Sequence, residues 1–160
     1  LARCLKMLWD VDIARCPCDN RLEEKLRHAA FRVQHSLCTM QAAEPDTYGE
    51  KGFATPKELL RWLEDNRPAE DLVFSHGDFC LPNIFLSQAR VEGFIDLGRS
   101  GVADRYQDIA LCYRSLCHNA NGRYTDGVRY SVNPDKLFEQ LGITPDWEKI
   151  RYYILLDELF

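Results

Sequence analysis

The chain has 160 residues, 46% of them hydrophobic and 28% charged. That composition supports a buried core and excludes disordered, collagenous and coiled-coil architectures. Twenty Lys and Arg against 25 Asp and Glu give a formal charge of −5, which speaks against nucleic acid as the main partner and suits a cationic ligand.

Apolar runs stay far short of the roughly 20 residues that a membrane span requires, and no leader-like segment opens the sequence. Seven cysteines lack the spacing of a disulfide framework, so reduced thiols are expected. Together these features predict one domain over residues 1–160 of a cytoplasmic protein, with no membrane partner. Cys16-Pro-Cys18 is a close pair, and Cys117-His118 would join it in a metal set only across the fold. Small buried hydrophobes are the default role for such thiols.

Along the chain, Leu1, Leu5, Leu8 and Trp9 fall near i, i+4, i+7 positions and predict an opening helix. After Pro17, Asn20 is placed to cap a long helix ending near Met40. Leu22, Leu26, Ala29, Val33 and Leu37 form its apolar stripe, with Glu23, Glu24, Lys25 and Arg27 mostly on the wet side. Residues 41–54, with Pro45, Gly49, Gly52, Glu44, Asp46 and Glu50, read as an exposed acidic loop. Thr55-Pro56-Lys57-Glu58 then joins a cap, Pro at the first helical position and a capping-box Glu, and Leu59, Leu60, Trp62 and Leu63 follow as the buried side up to the stop at Pro68.

Residues 72–74, 83–86 and 91–95 are short, β-like and joined by turn formers, which predicts small hairpins and no large sheet. Asp104 caps a further helix with Tyr106, Ile109, Ala110, Tyr113 and Leu116 on one side, broken at Gly122. A short helix over residues 134–141 closes at Gly142, and Thr144-Pro145 opens a last one towards Leu159. The expected fold class is α+β, helix-dominant.

The chemistry concentrates in residues 75–101. Asp78, Asn83 and Asp96 sit at the ends of predicted strands, where loops expose side chains. An Asp, an Asn five residues on, and a second Asp at the end of a hairpin match the needs of phosphoryl transfer. One carboxylate orients the attacking hydroxyl and takes its proton, while an amide oxygen and a second carboxylate suit a hard cation on the phosphates. Each residue alone would be an ordinary turn former.

His76-Gly77-Asp78-x-x-x-x-Asn83 and Ile95-Asp96-x-Gly98-Arg99-x-Gly101 resemble the motifs of the aminoglycoside phosphotransferases, antibiotic-resistance kinases related in fold to protein kinases. The runs at 93–99, 103–110 and 155–160 are nearest to the 3′-phosphotransferase branch. The resemblance implies the C-terminal lobe of that fold, its small hairpins carrying the catalytic and metal-binding loops. It also implies an N-terminal nucleotide-binding lobe outside this chain, which has no G-x-G or P-loop of its own.

By that resemblance Asp78 is the catalytic base, Asn83 and Asp96 bind Mg²⁺ and with it ATP, and the acceptor is the 3′-hydroxyl of an aminoglycoside. Asp108 braces the catalytic loop, with His76 and Asp104 as further supports, Asp104 also being readable as a helix cap. Arg99 steadies phosphate or acidic substrate-site side chains, or else forms a surface ion pair; Arg114 is open between the substrate cleft and an intramolecular salt bridge. Asp157, Glu158 and the carboxylate of Phe160 contact the amino sugars. Carboxylates at a helix C-terminus oppose the macrodipole, so this cluster calls for a cation, which a polyamine ligand would supply. His118 and residues 119–123 are less acidic than the corresponding segment of that family, which leaves the antibiotic range open. Two alternatives stand beside this reading: another small-molecule kinase of the same fold, of choline or homoserine type, and a non-catalytic cation-binding module.

Overall fold

The computed structural model describes residues 1–88, 90–123 and 126–160, with Ala42 described by its backbone alone. The helices are α1 (Ala2–Trp9), α2 (Leu22–Gln34), α3 (Pro56–Asp65), α4 (Arg105–Asn121), α5 (Lys136–Leu141) and α6 (Trp147–Asp157). The strands are β1 (Leu72–Ser75), β2 (Ile84–Ser87), β3 (Arg90–Phe94) and β4 (Gly101–Asp104). This is the helix-dominant α+β class expected from the sequence. Helices α4 and α6 lie along each other at the centre. Ile109, Ala110, Cys112 and Leu116 of α4 join Ile150, Tyr153 and Leu156 of α6 in one core with Leu5, Leu26, Leu59 and Leu63 from α1 to α3. Each large side chain buried there contributes about 1.5–3 kcal/mol.

The strands form two antiparallel pairs. In β1–β4, Leu72 lies opposite Asp104 and Ser75 opposite Gly101; in β2–β3, Ile84 lies opposite Phe94 and Ser87 opposite Arg90. Only the second is a local hairpin. Strand β4 goes unseen in the sequence because Gly-Val-Ala-Asp carries no alternation, and its partner lies far upstream. The other side of β4 is occupied by residues 18–20: Val102 N donates to Cys18 O and Asn20 N to Val102 O, both at 2.9 Å. A Cβ on Gly101 would stand 2.6 Å from the Cys18 oxygen, so this close approach needs glycine.

Several helix boundaries differ from expectation; α5 begins at Lys136, where the sequence predicts 134. Helix α2 stops at Gln34 because Ser36 turns left-handed at φ 54°, and Leu37 N donates to Arg32 O at 2.9 Å, the reverse turn that ends helices. Leu37 therefore leaves the stripe and is 48% exposed. Asn20 does not cap α2: its amide donates to Arg99 O, and Glu70 accepts the Leu22 N–H instead, at 2.9 Å. Helix α6 begins one residue after its cap Asp146, which accepts from Lys149 N at 3.0 Å, so Pro145 precedes the cap. At α3 the cap forms as expected, Thr55 Oγ1 accepting from Glu58 N at 3.2 Å, but the Glu58 carboxylate accepts from Ala54 N at 2.8 Å, one residue before the cap.

Candidate active site

Strand β1 delivers the chain into the loop His76-Gly77-Asp78. The backbone N–H groups of His76 and Gly77 donate to the two oxygens of Asp108, at 2.7 and 2.9 Å, from the first turn of α4. Asp108 is fully buried; burial pushes its carboxyl above the ordinary range, opposed by these two donors. Gln107 adds a third tie, donating to Gly77 O at 2.8 Å. Gly77 has φ +87°, and a Cβ there would fall 1.8 Å from Arg99 O, so no other residue fits. His76 is sealed in the core: its Nδ1 accepts from Asp78 N at 3.3 Å and its ring stands edge-on to Phe79 and Phe94.

The 3₁₀ turn Leu81–Asn83 is tied to α4 by Leu81 N donating to Ser115 Oγ at 3.0 Å. It returns the Asn83 amide to Asp78, where Nδ2 donates to the backbone oxygen at 3.0 Å and to Oδ2 at 3.2 Å. Arg99 Nη2 lies 3.6 Å from the same Oδ2. Asp96 stands in the left-handed region at φ 58°, just past β3. Ile95 N donates to Asn83 O at 3.1 Å, so the base of the hairpin sets the Asn83 and Asp96 segments side by side. The Asp96 carboxylate is exposed. With Asn83 Nδ2 committed to Asp78, the Asn83 Oδ1 and the Asp96 carboxylate offer oxygen donors of the kind a hard divalent cation takes; the donor set fits Mg²⁺. Among the described residues no group of three His, Cys, Asp or Glu side chains forms a cage for a metal.

The chain end closes on this loop through Arg99, whose Nη1 donates to Asp157 Oδ1 at 3.0 Å. Arg114 takes the other Asp157 oxygen and lies 3.5 Å from Glu158 Oε1. A cavity of about 770 Å³ opens beside them, its polar wall made by Glu44, Arg114, His118, Asp157 and Glu158. Burial pushes Glu158 up to about 7, opposed by the Glu44 backbone N–H and by Arg114 and aided by the charges of Asp157 and Glu44. Arg32 donates to the backbone oxygens of Leu159 and Phe160, both at 2.7 Å, and Lys25 Nζ stands 5.6 Å from the centre of the Phe160 ring.

The structure thus brings Asp78, Asn83 and Arg99 into contact, joins Asp157 to them through Arg99, and places Glu158 and Phe160 on the cavity. Asp78 does not line that cavity. The cation expected from a ligand at the chain end is already present, since Arg99 and Arg114 compensate Asp157 from within. Asp104 caps α4 through Tyr106 N at 3.1 Å, and also accepts from Lys149 Nζ at 2.8 Å and Tyr153 Oη at 3.0 Å. Sequence reasoning missed Lys25, Gln107 and Cys80. Lys25, set among the wet residues, is 6% exposed; its place three residues after Leu22 and one before Leu26 puts it on the buried stripe, a signal the charge overrode. Burial lowers it to about 8. Cys80 lines the cavity, and burial followed by the Asp78 charge raises its thiol to about 11. No helix among the described residues is long and apolar enough to cross a membrane.

The fold that sets the 76–78 loop, Asn83 and Asp96 near this cavity is shared with phosphotransferases. The model of the phosphotransferase enzyme family matches residues 1–152, and the chain belongs to that family. An aminoglycoside 3′-phosphotransferase of Enterococcus faecalis is 44% identical over 161 residues, covering 99% of this chain and 56% of its own length. The crystal structure of an aminoglycoside-3′-phosphotransferase of type VIII superposes with a TM-score of 0.85 at 33% identity, over 99% of this chain and 58% of that one. A Streptomyces rimosus aminoglycoside phosphotransferase in complex with ADP and streptomycin gives 0.78 at 30% identity, over 99% and 60%. The chain therefore spans somewhat more than half the length of these relatives.

Proposed function

We propose that this chain carries the catalytic and acceptor-binding face of an enzyme that transfers the γ-phosphoryl group of ATP to the 3′-hydroxyl of an aminoglycoside, and so confers resistance to it. The single observation that carries the reading is the Asp78 carboxylate, oriented by the Asn83 amide and linked through Arg99 to the acidic chain end beside a cavity. In this reading the acceptor oxygen attacks the γ-phosphorus, the bond to the β-phosphate oxygen breaks, ADP leaves, and the hydroxyl proton passes to Asp78. Asn83 and Asp96 would hold Mg²⁺, which supplies charge neutralisation on the phosphates. Arg99 orients Asp78 and Asp157 together, while Asp157, Glu158 and Phe160 receive the cationic acceptor. The relatives named for aminoglycoside 3′-phosphorylation support the acceptor class.

The test is phosphorylation of an aminoglycoside panel by the full-length protein with labelled ATP, the position of the phosphate being read by NMR. Asp78→Asn is expected to lower turnover about 10²–10⁴-fold while aminoglycoside binding, measured by calorimetry, persists. Retained turnover in that variant, or phosphorylation of choline or homoserine alone by the parent, overturns the proposal. Aminoglycoside binding without phosphorylated product would leave only the cation-binding module.

A further inference from the structure

Three carboxylates line the main cavity, Glu44, Asp157 and Glu158, and they are not equally free. Glu44 Oε1 lies 2.8 Å from His118 Nε2, while Oε2 accepts from Arg123 Nη1. Arg123 also donates from Nη2 to the backbone oxygen of Ala43 at 3.3 Å. Burial holds His118 below the ordinary imidazole value against the pull of Glu44, so the imidazole supplies an N–H and Arg123 supplies the charge. The backbone N–H of Glu44 donates to Glu158 Oε1 at 3.3 Å. Residue 44 is thus tied at once to the end of α4 and to the chain end. Beyond it the loop is fastened to itself, Thr47 N donating to Glu44 O at 3.0 Å and Phe53 N to Thr47 O at 2.8 Å.

We propose that Glu44 is a positioning residue: with His118 and Arg123 it latches the 43–53 loop against the end of α4, and its charge is thereby withheld from a cationic acceptor. Both of its oxygens already accept charge-assisted or imidazole hydrogen bonds, so an ammonium group would compete there with the Arg123 guanidinium and the His118 imidazole. Asp157 is engaged on both oxygens by Arg99 and Arg114. Glu158 accepts from the Glu44 N–H and lies 3.5 Å from Arg114, and in the reading above it is the acid that meets the acceptor's ammonium groups. The inference rests on the aminoglycoside reading above and deepens it by sorting the cavity's acids into one that holds the wall and one that reads the ligand.

The experiment uses the full-length protein and two readouts, amide hydrogen exchange over residues 43–53 and the KM for aminoglycosides with few and with many amino groups. Glu44→Gln and Arg123→Ala are each expected to speed loop exchange at least about tenfold. Glu44→Gln should raise KM by one common factor for every acceptor, with kcat changed less than about twofold, and the double variant should exchange no faster than the faster single one. Glu158→Gln should leave loop exchange unchanged and raise KM most for the acceptors richest in amino groups. A KM increase in Glu44→Gln that grows with the number of amino groups overturns the latch, as does unchanged loop exchange in both single variants. If the parent phosphorylates no aminoglycoside, it is the acceptor reading that fails, and the exchange measurement still decides the latch.

Discussion

Around His76 and Gly77 two backbone N–H groups meet one sealed carboxylate, whereas around Asp157 and Glu158 arginine side chains meet acids on a cavity wall. The first arrangement has little to replace it: once Asp108 is withdrawn, the buried His76 N–H is left bare and the Gly77 N–H keeps only Ser75 Oγ, at 3.1 Å. The second is a lattice of long side chains in which Arg99 reaches both Asp78 and Asp157 and Arg114 both Asp157 and Glu158, so each guanidinium keeps one carboxylate when it leaves the other. The loop that carries Asp78 is therefore fixed by the fold, while the wall that would meet a cation is built from interchangeable contacts.

The largest expected effect breaks the rigid side. Asp108→Ala strips the acceptor from the His76 N–H and leaves the Gly77 N–H on Ser75 Oγ alone, and is expected to lower stability by about 1–3 kcal/mol for the donor left unpaired, measured by denaturant unfolding. A total loss under about 1 kcal/mol would erase the contrast between the two regions. Next comes Lys25, the cation of the ionic region that is itself buried. Folding lowers it from 10.5 to about 8, so the folded chain binds fewer protons than the unfolded chain between those values and stability rises with pH across that window. Below it the cost of the buried charge is present in full. Lys25→Met is expected to stabilise the protein by on the order of 2 kcal/mol at neutral pH, with a gain that shrinks as pH climbs from about 8 towards 10.5, followed by urea unfolding at several pH values.

The smallest effect sharpens the adaptable side. Glu158 is raised on folding from 4.5 to about 7, so the folded chain holds a proton that the unfolded chain has lost, and stability falls as pH rises through that interval. A cation that pairs with ionised Glu158 must expel the proton. Aminoglycoside affinity should grow by up to roughly tenfold as pH rises across about one unit on either side of 7. Calorimetry in buffers of different ionisation heat should detect proton release below that point, and Glu158→Gln should abolish both signals.

Much of the architecture could be read from the chain. The apolar stripe of α4, the glycine stop at Gly142 and the Thr55 cap are local signals, and they hold. The motif residues Asp78, Asn83 and Asp96 were legible because each sits at a strand end beside a turn former. What escaped was set by tertiary contact: Asn20 has the look of a cap but serves Arg99, Ser36 ends α2 by a backbone turn with no composition cue, and β4 exists through partners distant in sequence. The chain-end acids were visible as charge, but the arginines that neutralise them come from the 3₁₀ turn Leu97–Arg99 and from α4, and only the fold sets them side by side.

The strip of three residues lying along β4 has a consequence for the free molecule. A two-stranded ribbon has two bare flanks, each a row of amide and carbonyl groups ready to template pairing with another chain. With residues 18–20 hydrogen-bonded to Val102, one flank of this ribbon is shielded by the chain itself. The segment leading into α2 thus guards against intermolecular strand addition at the place where the Arg99 backbone is anchored.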